Sequence, residues 1–285
     1  MTQPDPQTRS ALPKSTVQSL RHADSDRFLS ALFAPAEMRE HILVLYALDH
    51  ELKRIPHAVS EPMLGAIRFQ WWRDTVGAIY AGDMRGHALV PALAQAIGHA
   101  DLAPAAFHAW LDAREAEMTH YPFATLQEMT RHATQADGTV MEMAARVLSE
   151  GALDADTAAT ARALGTAYGL TDMLRRLAAA ATRRTAFVPH DMAGQGADML
   201  FAGQMTDAAA AAFAAALDMA QETFCSARSQ ALPKACLPAL LHAALVPGYV
   251  RLMRRASFDP LRTRADIPAY RRQTVLLARA LRGRL

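Results

Sequence analysis

Apolar residues recur at three- and four-residue spacing along most of the chain, and few stretches alternate apolar and polar residues as a strand requires. That period restricts the fold to packed helices. The residues that supply it agree: hydrophobic residues make up 51% and aromatics only 7%, and the apolar material is mostly Ala, Leu and Met rather than Val and Ile. Periodicity and breakers together predict helices over 36–55, 62–81, 87–98, 103–120, 125–149, 154–181, 206–230, 234–255 and 266–282. Ser60 can cap the helix that has Pro62 in its first turn, and Gly82 follows its last apolar position, Tyr80. The one long irregular connection runs from 185 to 200 and holds two glycines and Pro189. The expectation is an all-α fold.

With 285 residues the chain can bury a large core, and no linker is polar enough to divide it. Residues 26–285 read as one helical domain. The first 25 residues are polar, carry Pro4, Pro6 and Pro13 and contain no secretory signal, so they read as a disordered arm. No run reaches the roughly 18 consecutive apolar residues of a membrane span, and the Ala-rich block at 208–220 reads as a close-packed helix. Ten arginines from Arg251 onward face only Asp259 and Asp266, a net +8; with +2 for the whole chain, residues 1–250 carry −6. A basic C-terminal segment is appended to an acidic body. Within that segment Ile267, Tyr270, Thr274, Leu277 and Leu281 recur at helical spacing. Either this stripe docks on the bundle and the arginines are merely solvated, or residues 266–285 attach peripherally to an anionic membrane.

Familiar catalytic patterns are absent. There is no His-Glu-x-x-His pair, Gly-rich phosphate loop or nucleophile elbow, and nothing points to a nucleic-acid partner. His87, His99, His108, His120 and His132 read as helix-end or surface residues. Cys225 and Cys236, eleven apart, match neither a redox pair nor a zinc set and suit a reducing compartment.

Five stretches in order carry a resemblance: "DRFLSALFAPAEMREHILVLYAL", "SEPMLGAIRFQWWRD", "YP" at 121, "ADGTVMEMAARVL" at 136 and "ALGTAYGLTDMLRRLAAAATRRTAFVPHDM" at 163. Together they resemble the squalene/phytoene synthase family over about residues 26–195. The resemblance implies a single-domain, isoprenoid-synthase-like helical bundle around a central cavity. In that family two aspartate-rich motifs on facing helices hold Mg²⁺ against prenyl diphosphates, since Mg²⁺ takes oxygen ligands and neutralises the leaving group.

Both motifs are altered here. Where the family has Asp-Asp-x-x-Asp after the segment containing Tyr46, this chain has Lys53, Arg54, Ile55, Pro56 and His57. In the second motif Asp172 and Arg175 are followed by Arg176 and Ala180 in place of aspartates. Asp49 and Glu51 sit two apart and diverge around their helix, which leaves Asp172 as the one carboxylate expected at the site. No metal site and no catalytic residue are therefore expected. Lys53, Arg54, His57, Arg175 and Arg176 become candidates for holding an anion, and Tyr46, Trp71, Trp72, Tyr168 and Asp172 for lining the cavity or a partner surface. Adjacent tryptophans on a helix point about 100° apart, so Trp71 and Trp72 cannot both face one core.

Two main readings follow. The resemblance is strongest to the branch of the family that assembles respiratory complex I, which implies a non-catalytic factor binding a partner subunit, an isoprenoid or an acidic ligand. Such a factor is expected in the cytoplasm, peripheral on the inner membrane, or in the mitochondrial matrix of a eukaryote. The alternative is an active prenyltransferase in which cations replace Mg²⁺ as the diphosphate holder. A third reading is a soluble scaffold whose cavity has closed.

Overall fold

The computed structural model describes residues 12–59, 61–84 and 86–285, and among them every regular element is helical. Two short helices, α1 (Lys14–Ala23) and α2 (Ser25–Ala31), lead into the long α3 (Ala36–Ala58) and α4 (Pro62–Tyr80). Next come α5 (Val90–Ala100), α6 (Pro104–Ala116) and α7 (Leu126–Ala133). A π-turn, Thr134–Gly138, joins α7 to α8 (Thr139–Leu148), and α9 (Ala155–Arg175) follows. The short α10 (Leu177–Ala181), α11 (His190–Ala193) and α12 (Gly196–Phe201) lead to α13 (Asp207–Ala227). After it come α14 (Leu237–Leu240) and α15 (Val246–Met253), linked by 3₁₀ turns, and α16 (Ala269–Arg282).

Local chemistry accounts for the boundaries. Asp24, Thr125, Asp154 and Thr206 each accept a backbone N–H from the first turn of the helix they precede. Prolines open α4, α5 and α6, where their missing N–H costs nothing. Gly82 takes a left-handed φ of 84° beyond α4, as expected. Ser60, the expected cap of α4, lies outside the described residues. Pro56 does not end α3, which runs on to Ala58.

The arm expected over residues 1–25 is corrected in its second half. Residues 1–11 lie outside the described part, but α1 is formed: Leu20 is buried and Ser19 Oγ lies 3.3 Å from His50 Nε2. Its apolar residues are too few for periodicity to reveal the helix. Buried apolar residues form one contiguous cluster from Leu12 to Leu285. At its centre runs α9, with 16 of its 21 residues buried, packed on Ala-rich α13 and on the π-turn. Lys234–Met253 is long and apolar enough to cross a membrane, yet 72% of it is buried inside the protein, which marks it as a core segment.

The C-terminal helix reverses one expectation. Of the stripe read as docking on the bundle, only Ile267 is buried, while Tyr270, Leu277 and Leu281 are 62%, 50% and 80% exposed. Leu276 and Arg272 face inward instead. Arg272 can be buried because Asp26 and Asp266 neutralise it at 2.6 and 2.5 Å and Ser25 Oγ accepts from it at 2.6 Å.

Candidate functional site

Four cations and four carboxylates from five separate segments meet beneath the mouth of the bundle. α2 supplies Arg27, α3 supplies Asp49 and Lys53, α6 and the residue after it supply Arg114 and Glu117, the π-turn supplies Asp137, and α9 with its C-cap supplies Asp172 and Arg176. Asp49 accepts from Arg27 at 2.5 Å, Arg114 at 2.9 Å and Trp110 Nε1 at 3.0 Å. Asp137 accepts from Arg27 at 2.5 Å and Arg114 at 2.9 Å. Glu117 accepts from Arg114 at 2.7 Å and lies 3.1 Å from His132 Nε2 and 3.5 Å from Arg176 Nη1. At the centre, Lys53 Nζ stands 3.0 Å from Asp49, 3.3 Å from Asp137 and 3.2 Å from Asp172, and Arg176 Nε donates to Asp172 at 3.0 Å. The cluster is charge-balanced.

Local sequence explains how Asp137 gets there. The π-turn carries one extra residue per turn, which pushes its backbone toward α9. Gly165 and Gly169 on α9 admit it: a Cβ on Gly169 would stand 2.8 Å from Asp137 Cβ and Oδ2, and one on Gly165 would stand 2.6 Å from Asp137 O. Aromatic rings close the sides, with the Arg27 guanidinium 5.4 Å from the ring centroids of both Tyr46 and Tyr168.

A second cluster adjoins the first. Asp26, buried at the start of α2, accepts from Tyr249 at 2.7 Å and Tyr168 at 3.2 Å, with Arg272 Nε at 2.6 Å and Arg175 at 3.4 Å. Arg175 also lies over the Tyr249 ring at 3.7 Å.

Burial opposes ionisation throughout, and pairing outweighs it. Asp49 is held well below the usual carboxylate range, with burial working against Arg114, Lys53 and Arg27. Glu117 and Asp172 are also held well below theirs, against burial, by Arg176 with Arg114 and by Lys53 with Arg176. Arg27 and Arg114 are pushed above the ordinary guanidinium value, against burial, by Asp49 and Asp137. All of these groups remain charged at neutral pH.

Above the cluster opens a cavity of about 290 Å³. It gathers Lys53, Arg54, His57, Tyr168, Asp172, Arg175 and Arg176, seven of the ten residues singled out in the sequence. Tyr46 lies buried beneath it. Trp71 and Trp72 do not reach it: Trp72 is buried against His87, and Trp71 is 40% exposed on the outer face of α4. Of the residues read as candidates for holding an anion, Lys53, Arg175 and Arg176 meet carboxylates inside the protein and Arg54 pairs with Glu51 at 3.3 Å. Asp172 is not the only carboxylate; Asp49, Asp137 and Glu117 converge with it. His132, read as a surface residue, is buried against Glu117. Arg27, Asp49, Arg114, Glu117 and Asp137 were missed as site residues. Asp49 stood out only as a charge in an apolar helical run, and nothing local indicates that residues up to 110 apart will pair.

The residues present do not fit a magnesium ion. Mg²⁺ requires oxygen ligands at about 2.0–2.1 Å, but Lys53 Nζ fills the space between the three aspartates and each already contacts at least two cations. The lining does not suit a prenyl chain either, since Ala23 is the one lining side chain that carries no charged or hydrogen-bonding group.

A model of the squalene/phytoene synthase family matches residues 20–271. The chain belongs to that family. It is 26% identical over 271 residues to "NADH dehydrogenase (ubiquinone) complex I, assembly factor 6" of Bos taurus, covering 93% of this chain and 79% of that protein. It is also 26% identical to the protein of the same name from Mus musculus, covering 85% and 74%. Among solved structures, a dehydrosqualene synthase superposes with a TM-score of 0.77 at 15% identity over 93% of both chains. A squalene synthase from Alicyclobacillus acidocaldarius superposes at 0.65 and 18%, covering 94% of this chain and 93% of that one. The family's helical fold is thus retained, as the sequence led one to expect.

Proposed function

We propose that this chain is a non-catalytic member of the squalene/phytoene synthase family that assists assembly of a respiratory NADH dehydrogenase complex. The observation that carries this is the Lys53 ammonium held between Asp49, Asp137 and Asp172. By the resemblance Lys53 stands where a metal-diphosphate enzyme carries a carboxylate ligand, and the four-to-four charge balance leaves little net field for a diphosphate. The same balance weighs against a prenyltransferase that uses Lys53 and Arg176 in place of Mg²⁺. The names of the mammalian relatives support the assembly role.

A partner subunit, rather than an isoprenoid in the charged cavity, is the binding target this surface supports. Met63, Ile67 and Trp71 stand four apart along α4 and are 73%, 58% and 40% exposed, an apolar ridge that a subunit can cover. The exposed face of α16 supports peripheral attachment to the membrane beside which such a complex is built, on the cytoplasmic face in a bacterium or the matrix face in a mitochondrion.

Deleting the gene in its native cells and resolving NADH dehydrogenase on native gels tests the role. The assembled complex is expected to fall, to return with the wild-type gene, and to stay low with a folded Met63→Ser/Ile67→Ser/Trp71→Ser variant. Normal complex in the deletion strain overturns the reading.

A further inference from the structure

A second cavity, of about 700 Å³, opens between the C-terminal ends of α13 and α16. Arg228, Arg279, Arg282 and Arg284 line it together with Cys225, and no Asp or Glu side chain does. No carboxylate of the described residues pairs with any of the four guanidiniums, whereas Arg27, Arg114 and Arg176 of the central cluster each have one within 3.0 Å. Two helix C-terminal ends offset about one of these charges, and a carboxylate at Leu285 counts for one more, so about two positive charges remain uncompensated.

The fold holds these like charges together. Arg228 lies over the Phe224 ring, 5.8 Å from its centroid. Gly283 ends α16 with a left-handed φ of 66°, which turns the chain back so that Arg284 joins Arg279 and Arg282. Lys234 brings a further cation alongside, since a Cβ on Gly283 would stand 3.2 Å from its Cε. Arg279, half-buried in the wall, is held below its ordinary value by burial and then by Arg228, Arg282 and Arg284. An anion seated between the forks relieves this repulsion, and phosphate oxygens accept such forks in pairs. No aromatic ring lines the cavity to stack on a base, and Ala231, Leu232 and Leu285 form its uncharged walls. Tyr270, Leu277 and Leu281 lie about 160–180° around α16 from Arg279, so a bilayer meeting that exposed ridge would not present its phosphates here.

We propose that this cavity binds a soluble phosphate ester or polyphosphate carrying two or more negative charges, held between Arg228 at the end of α13 and Arg279 and Arg282 on α16. The site goes beyond the assembly role and draws on nothing in the central cluster.

Cys225 gives a local readout, because it is exposed in the cavity wall while Cys236 is buried. Alkylation of the full chain by iodoacetamide is followed at Cys225 by mass spectrometry, in magnesium-free buffer with pyrophosphate or with chloride at matched ionic strength. Pyrophosphate is expected to slow the reaction saturably. Arg228→Gln/Arg279→Gln, which removes two charge-assisted contacts, should raise the half-saturating concentration about tenfold or more. Arg251→Gln/Arg255→Gln removes two exposed charges outside the cavity and should raise it less than about twofold. Equal rates in pyrophosphate and chloride overturn the site, and wild type alone decides this should the cavity variant fail to fold. Equal losses from the two variant pairs overturn it in favour of diffuse attraction. Protection by vesicles of phosphatidylcholine with an equal amount of phosphatidylglycerol, without protection by pyrophosphate, overturns it by assigning the cavity to a lipid headgroup.

Discussion

Replacing Lys53 with methionine tests the central cluster most sharply. The substitution keeps the length of the side chain and removes one charge, which leaves four carboxylates against Arg27, Arg114 and Arg176. Three of those carboxylates lie 3.0–3.3 Å from the lost ammonium, and Asp49 and Asp137 are almost wholly buried. Removing one partner from a buried ion pair costs about 3–5 kcal/mol. The Lys53 side chain is 14% exposed, so water can reach the vacated place, and the lower end, about 3 kcal/mol, is expected. For a chain of this size that corresponds to a fall of about 6 °C in Tm, read by far-ultraviolet circular dichroism. Lys53→Met/Asp172→Asn restores the balance, so its cost should be smaller than the sum of the two singles by at least about 1 kcal/mol. Arg54→Met, which removes an exposed cation paired only with Glu51, should change stability by less than about 0.5 kcal/mol. A Lys53→Met protein as stable as Arg54→Met would mean that Lys53 is a solvated surface residue and not the centre of a buried cluster.

Further outcomes follow from the same geometry. Gly169→Ala should cost about 1–3 kcal/mol by driving a Cβ into Asp137, while Gly77→Ala, with nothing within 4 Å, should be neutral or stabilising in the same melts. Asp26→Asn should cost about 3 kcal/mol and speed amide exchange across α16, since Arg272 loses its buried partner; unchanged exchange would show that α16 is held by other contacts. Acid should destabilise the protein in two stages. Burial and then Arg27 hold the folded His242 well below the ordinary imidazole value, so stability present above about pH 6.5 declines as the unfolded state takes up that proton. Below about pH 4 the depressed carboxyls of Asp49, Glu117 and Asp172 add a steeper loss as pH falls toward their folded values. Asp24, raised by burial, acts in the opposite direction and offsets part of this second stage. A Tm constant from pH 7 to pH 3 would contradict the ionised cluster.

The long helices were legible because each buries a continuous apolar face, which periodicity reports directly. Thus α3, α4, α9 and α13 lie within a few residues of their expected bounds, apart from the break at Arg176 that ends α9 early. The helix α1 was not legible, since Leu20 is its only buried residue. At the site, the altered motif positions Lys53, Asp172, Arg175 and Arg176 could be read from the family's pattern, but their partners could not. Arg27, Arg114, Glu117 and Asp137 occupy ordinary charged positions in sequence, and only the tertiary fold makes them a balanced set. The cations of α3 were thus legible in the sequence, and the carboxylates that surround Lys53 were not. The docking alternative for the α16 stripe failed for a related reason: Arg272 takes a place on the packed face, where Asp26 pairs with it.

As proposed above, the family scaffold here carries an internal ammonium, Lys53, in place of a metal and lacks diphosphate chemistry. Pyrophosphate release from farnesyl and geranylgeranyl diphosphate, measured with purified protein in the presence and absence of Mg²⁺, tests this directly. Release is expected to be no faster than in a protein-free control under either condition. Mg²⁺-dependent release above that control, accompanied by a condensed prenyl product, would contradict it.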